Sequence, residues 1–340
     1  MPDNPLSATD HFWRLAVFCH NGKYNQSPRV SFVGMKYFKA QFAEFIAADG
    51  LKLPGILFEP RKKTKKVLIY LHGNGSSSVF YSMAKLSEQA KAINKAGVSY
   101  FAFNNRGAYQ YHKVRRIRRG KEDKVMGGTA YELIKDCIKD IDGAIKFLET
   151  QGYSEFYLIG FSTGANKICV YNYYRPNNKV RGYILACGGD DVGIYYKMLG
   201  PKKFKMLLSK SKRRVKQHRG LELAGDDLPG LVYSYRGLYD IMYPDGNYNV
   251  FPYLEYFKKL KLSKKPLFRH FASIRKPALV VYGDRDEYSY RPIAKVINVL
   301  KDHCAAPERF QYQIISGADH GFTGKEREMN LVLANWLKSF

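Results

Sequence analysis

The sequence predicts an α/β protein: a mostly parallel sheet of the eight-stranded type, flanked by helices and carrying one insertion. Three observations carry this reading. Short apolar runs such as Val67-Leu68-Ile69-Tyr70-Leu71 lack polar alternation, as strands covered on both faces require. Segments with apolar residues at three- and four-residue steps separate those runs. The runs end in short loops rich in Gly, Asn and Asp, and a parallel sheet places its ligand groups at such carboxyl ends.

In chain order, residues 1 to 35 have weak periodicity and turn formers such as Asn21-Gly22 and Ser27-Pro28, and read as an irregular lead-in. Phe38 to Ala47 and Leu53 to Glu59 are strand-like and flank Ala48-Asp49-Gly50, whose Asp-Gly marks a hairpin turn. Val67 to Leu71 follows a basic loop and ends in His72-Gly73-Asn74-Gly75. Met83, Leu86, Ala90 and Ile93 share one face of a helix that Gly97 closes. Val98 to Phe103 is the next strand and ends at Asn104-Asn105-Arg106-Gly107. A basic connection then leads to Thr129-Ala130-Tyr131-Glu132, which has the pattern of a capping box, and helical period continues from Leu133 to Leu148.

Glu155 to Phe161 is a strand that runs into Gly160-Phe161-Ser162-Thr163-Gly164 and a helical segment with Ile168, Val170 and Tyr171. After the strand Val180 to Ala186 the alternation stops. Residues 191–270 are rich in lysine and tyrosine, with helical stretches around Tyr195 to His218 and turn formers Pro229, Pro244, Gly246 and Pro252. The rhythm returns with the strand Pro277 to Tyr282, a helix from Arg291 to Lys301, the strand Phe310 to Ile315 and a helix from Lys325 to Leu337. The chain therefore divides into the lead-in, a core of 36–190 with 271–340, and an insertion of 191–270 that reads as a cap.

Composition narrows the function classes. The 56 basic and 30 acidic residues give a net charge of +26. Such a surface is either a solvated one or one that associates weakly with anionic partners. No helix-turn-helix, RNA-recognition or zinc-finger pattern accompanies it, so no specific nucleic acid is predicted. No apolar run reaches the length of a membrane span, and the N-terminus lacks the pattern of a secretory leader, which makes the cytoplasm the expected location. The five cysteines are widely spaced and form no C-x-x-C pair, and His11, His20, His112, His218, His270 and His303 show no ligand spacing. Neither a metal nor another cofactor is expected.

Gly-Phe-Ser-Thr-Gly has the form of a nucleophile elbow, in which a serine is presented at a sharp strand-to-helix turn. A serine hydroxyl is a poor nucleophile until a base takes its proton and an acid orients the base. The elbow therefore calls for an acid and then a histidine further along. Gly283-Asp284-Arg285-Asp286-Glu287 and Ala318-Asp319-His320-Gly321-Phe322 supply them after two successive later strands. We read Ser162 as nucleophile, His320 as base and Asp286 as orienting acid, with Asp284 and Glu287 as competitors.

Taken together, residues 38 to 340 resemble the α/β-hydrolase superfamily, in the order His-Gly-Asn-Gly, Gly-Phe-Ser-Thr-Gly, Gly-Asp-Arg-Asp and Ala-Asp-His-Gly-Phe. The resemblance extends to an intracellular branch with the same His-Gly-Asn, Asn-Asn-Arg-Gly and Phe-Ser-Thr-Gly elements, described mainly as esterases. In that family the acid stands three residues after the strand-ending glycine, which selects Asp286. The family also implies an oxyanion hole from the backbone amides of Asn74 and Thr163. His72 would shape that loop, and Asn105 and Arg106 would either touch substrate or anchor their own loop.

The implied function is a serine hydrolase that cleaves a small-molecule carboxylic ester or related acyl substrate through an acyl-enzyme. The same triad would also serve a thioesterase, an amidase or peptidase, or a hydrolase of carbon-carbon bonds. A binder of anionic partners without catalysis is the alternative from another class. The tyrosines of 191–270 suit either an acyl pocket or a small core of the cap itself.

Overall fold

The computed structural model describes residues 38–75, 77–228 and 230–340, so the lead-in read for residues 1–35 lies outside the described residues. Strands β1 (Phe38–Ile46) and β2 (Lys52–Pro60) form the hairpin expected around Asp49-Gly50, paired from Phe38 with Pro60 to Ile46 with Lys52. The alternation then runs β3 (Lys66–Leu71), α1 (Met83–Lys95), β4 (Ser99–Phe103), β5 (His112–Arg118), β6 (Lys121–Gly127) and α2 (Cys137–Thr150). It continues through β7 (Glu155–Phe161), α3 (Thr163–Tyr174), β8 (Val180–Ala186) and α4 (Asp191–Lys216). Short helices α5 (Tyr235–Met242) and α6 (Tyr253–Phe257) precede β9 (Ala278–Gly283), α7 (Ile293–Asp302), β10 (Phe310–Ile315) and α8 (Glu326–Lys338).

Eight strands form one sheet in the order β1-β2-β4-β3-β7-β8-β9-β10. Only β1 and β2 run antiparallel to their neighbours; β4, β3, β7, β8, β9 and β10 are mutually parallel. The central strands are apolar on both faces because helices cover both: Val67, Leu68, Ile69, Phe101, Tyr157 and Leu158 are all fully buried. At roughly 1.5–3 kcal/mol for each large apolar side chain removed from water, this layer dominates the favourable energy of the core. The carboxyl ends of β3, β4, β7, β8, β9 and β10 lie at one edge, and every polar motif identified in the sequence sits there.

Two sequence expectations are corrected. The basic connection after β4 is a two-stranded hairpin, β5 with β6, in which Arg116 pairs with Asp123. Of the seven residues of β5 only Val114 is buried, so the apolar alternation that marks a strand is missing. Thr129 and Glu132 form no capping box. The helix starts at Cys137 after a short 3-10 turn, Thr129 donates to the Gly107 carbonyl, and Glu132 forms a buried ion pair with Lys167 at 2.7 Å. The local pattern is present, but a partner 35 residues away takes the glutamate.

The four described cysteines are free. No described helix is long and apolar enough to cross a membrane. Residues 191–270 lie between β8 and β9 and hold α4, α5 and α6, with α4 broken at Gly200, where φ is 72° and Pro201 follows.

Candidate active site

Ser162 stands between β7 and α3 with φ 57° and ψ −129°, a conformation that costs a non-glycine residue on the order of 1–3 kcal/mol. The turn is held by its surroundings: the Ser162 amide donates to the Ala186 carbonyl at 2.9 Å, and the Ala165 amide to the Ser162 carbonyl at 2.8 Å. The flanking glycines are required by contact. A Cβ on Gly160 would meet the Gly164 carbonyl oxygen at 2.2 Å, and one on Gly164 would meet that of Leu71 at 2.1 Å. Strand and helix can approach this closely only without side chains at those positions.

The three carboxylates after β9 have three different partners. Asp284 accepts from the Gly317 amide at 2.7 Å and from the Ser316 hydroxyl at 3.2 Å, tying two loops together. Glu287 accepts from the His320 backbone amide at 3.0 Å. Asp286, fully buried, faces the imidazole: its Oδ1 accepts from His320 Nδ1 at 2.9 Å and from the Tyr288 amide at 2.9 Å. That hydrogen bond puts the proton on Nδ1 and leaves Nε2 as the basic nitrogen. The imidazole also packs against Phe161 and Tyr288, with ring centroids 5.3 and 4.9 Å away, and Phe161 is the residue before Ser162.

The His72-Gly73-Asn74-Gly75 loop lies directly against the elbow, since a Cβ on Gly73 would be 3.0 Å from Ser162 Cβ and 3.4 Å from its Oγ. Thr163 opens α3, and its amide is among the first-turn donors that have no partner within the helix. His72 is buried and bonded on both nitrogens: Nδ1 donates to the Gly73 carbonyl at 2.8 Å and Nε2 accepts from the Asn105 amide at 3.2 Å. Burial, reinforced by the Lys167 charge, pushes its pKa down to about 3, so it is neutral at ordinary pH. A neutral histidine with both nitrogens occupied fixes the loop.

Asn105 and Arg106 are loop anchors and do not line the cavity. Asn105 Oδ1 accepts from Lys167 Nζ at 3.0 Å and from the Gly107 amide at 3.2 Å. Arg106 binds Asp49 through both terminal nitrogens, at 3.0 and 3.1 Å, and binds Asp140 through Nε and Nη2 at 3.0 and 2.6 Å. Burial works against its charge, but the two carboxylates more than offset that and raise its pKa. The arginine thereby joins the β1–β2 turn and α2 to the end of β4.

Ser162, Thr163, His320, His72, Gly73, Asn74 and Gly75 all line one cavity of about 720 Å³. Its walls are largely apolar, with Ile159, Phe161, Phe322 and Met329 on the core side and Ile194, Tyr195, Met198 and Tyr233 from residues 191–270. Among those tyrosines, Tyr195 and Tyr233 line the cavity, whereas Tyr248 and Tyr253 are fully buried core.

The sequence reading missed Asp191, which also lines the cavity. It accepts from Thr163 Oγ1 at 3.0 Å and from Asn166 Nδ2 at 2.9 Å, and burial raises its pKa to about 7. The only signal for it was the Asp190-Asp191 pair in the segment that follows β8. Tyr288, against the imidazole, had no signal beyond its nearness to Asp286.

Cys187 Sγ, Asp286 and His320 have donor atoms within 4.8 Å of one another. This is the one group of three metal-type side chains among the described residues. Burial, with the Asp286 charge, pushes the Cys187 thiol well up, so it is a neutral thiol, and the other two groups are bonded to each other. To share a metal ion the thiol would have to lose its proton and Asp286 its imidazole partner.

Comparison with known proteins agrees with this architecture. A ferulic-acid-bound Est1E from Butyrivibrio proteoclasticus superposes with a TM-score of 0.57 at 14% identity, over 87% of this chain and 98% of that one. The Pyrococcus furiosus esterase Pf2001 gives 0.52 at 17% identity, covering 93% and 99%. A monoacylglycerol lipase from Paleococcus ferrophilus gives 0.51 at 16%, covering 88% and 98%. At such identities these likenesses speak for the α/β-hydrolase fold. A search of curated proteins finds no match. The family model of serine aminopeptidase S33, Hydrolase_4, matches residues 62–327, and the chain therefore belongs to this family of α/β hydrolases.

Proposed function

We propose that the protein cleaves a carboxylic ester by an acyl-enzyme route, with residues 191–270 as a cap over the site. Ser162 Oγ attacks the carbonyl carbon while His320 Nε2 takes its proton. Asp286 holds the imidazole through Nδ1 and stabilises the imidazolium that forms. The amides of Asn74 and Thr163 receive the oxyanion; one such donor is typically worth ~10²–10³ in rate. His320 then protonates the leaving alcohol, and a water activated by the same nitrogen releases the acid. The observation that carries this reading is the 2.9 Å contact of His320 Nδ1 with Asp286, in loops facing the cavity that holds the strained Ser162.

The test is turnover of short nitrophenyl esters, with fluorophosphonate labelling in parallel. Ser162→Ala should lose on the order of 10⁴–10⁶ in kcat and all labelling, with an unchanged circular dichroism spectrum. Unchanged turnover in that variant overturns the proposal. A substrate panel separates the aminopeptidase reading, which the family's description favours and for which Glu326 in the cavity wall would meet a substrate amine. Faster turnover of aminoacyl amides than of esters selects it.

A further inference from the structure

The cavity rim and the second half of α4 both expose chemistry that ester cleavage does not require. Tyr81, Met198, Leu231 and Tyr288 all line the cavity and yet are between 37% and 64% exposed, so its rim is aromatic and aliphatic. Beyond the break at Gly200, α4 exposes Lys202, Lys205, Met206, Lys212, Arg213 and Lys216, related by spacings of three, four and seven residues and so on one helix face. None of those five cations has an acidic partner among the described residues, whereas Lys210 pairs with Asp227 and Arg214 with Glu222. Leu221 and Leu223, just after the helix, are also exposed. Apolar side chains left in water cost free energy, and Met206, Leu221 and Leu223, exposed on and just after a face of unpaired cations, mark a surface that is covered in use.

The two features together identify the cover. A nucleic acid would neutralise the lysines but offer nothing to Met206, Leu221, Leu223 and Leu231. A negatively charged lipid surface meets both, since aliphatic and tyrosine side chains enter the headgroup boundary while lysines and arginines stay among the phosphates.

We propose that this face of the cap seats the protein on an anionic lipid surface. The exposed apolar rim of Tyr81, Met198, Leu231 and Tyr288 fits an amphiphilic acyl ester drawn from that aggregate as the substrate. The statement about substrate rests on the proposed esterase function; the docking does not.

Docking is measured by vesicle flotation of the full chain carrying Ser162→Ala, which keeps it independent of turnover. Phosphatidylcholine vesicles are compared with mixtures containing phosphatidylglycerol, at low and high salt. Binding is expected to the anionic vesicles alone and to weaken with salt. The quadruple variant Lys202→Glu, Lys205→Glu, Lys212→Glu, Arg213→Glu should lose roughly a hundred-fold or more in partitioning. Met206→Gln should lose about two- to five-fold. On the Ser162 background both should hydrolyse a soluble short ester at the unaltered rate, because none of these residues lines the cavity. Equal binding to neutral vesicles, or unaltered binding of the quadruple variant, overturns the inference. So does tighter retention by a single-stranded RNA oligonucleotide than by the anionic vesicles. Loss of ester turnover with intact flotation would instead count against the esterase reading alone.

Discussion

Thr163 Oγ1 donates to Asp191 Oδ1 across 3.0 Å, so the residue following the elbow serine is held by the first residue of α4. Asn166, one turn further along α3, donates to the other oxygen of the same carboxylate at 2.9 Å. The elbow helix and the inserted segment therefore share one buried acid.

That acid sets a pH dependence of known sign. Burial raises the Asp191 pKa to about 7, while an unfolded aspartate titrates near ~3.9, so between these values the folded state binds a proton that the unfolded state lacks. Its contribution to stability is fully present below about pH 4 and is lost as the pH rises through about 7. Asp190 and Asp240, also raised to about 7 by burial, act in the same direction. Asp191→Asn keeps an acceptor for Thr163 and removes one titration. Chemical denaturation between pH 5 and 8 should show a shallower fall in unfolding free energy for the variant; an identical slope would refute this account.

The three carboxylates after β9 should separate cleanly in kinetics. Asp286→Asn leaves an amide beside His320 Nδ1 and favours the wrong tautomer, an effect worth about 10⁴ in kcat. Asp284→Asn weakens only the tie to Ser316 and Gly317, and Glu287→Gln only the hold on the His320 amide. Each of these should cost less than roughly tenfold in kcat and appear mainly as a lower melting temperature. Should Glu287→Gln fall as far as Asp286→Asn, the assignment of the acid is wrong.

Strain at the elbow can be read directly by comparing two inactive variants. Ser162→Ala and Ser162→Gly both lose the hydroxyl, but only glycine occupies positive φ at little cost. Ser162→Gly should be more stable than Ser162→Ala by about 1 kcal/mol, against the usual penalty of a glycine substitution. Thermal unfolding of the pair decides it, and equal melting temperatures would mean that the turn stores no such strain.

Much of this was legible in the residues. The buried strands announced themselves because nothing polar interrupts Val67 to Leu71 or Phe156 to Ile159, and the elbow because Gly160 and Gly164 must both lack side chains. What stayed hidden depends on partners distant in the chain. Arg106 in a strand-end loop could face a ligand or a structural acid, and only the fold brings Asp49 and Asp140 to it. Glu132 looked like a helix cap because the Lys167 that claims it lies on another helix. The β5–β6 hairpin escaped because a strand exposed on both faces carries no apolar rhythm. Asp284, Asp286 and Glu287 lie within four residues of one another, and loop geometry alone gives each its partner.

The adjacent acids at the start of α4 have different partners. Asp190 accepts from the Gly193 amide at 2.7 Å and from the Leu254 amide, at the start of α6, at 2.6 Å, while Asp191 turns back to Thr163 and Asn166. A single peptide bond thus divides what belongs to the insertion from what belongs to the serine's helix. Transplanting another chain's insertion onto this scaffold would have to join after Asp191 and still supply an amide for Asp190, so the segment is a poor module for free recombination.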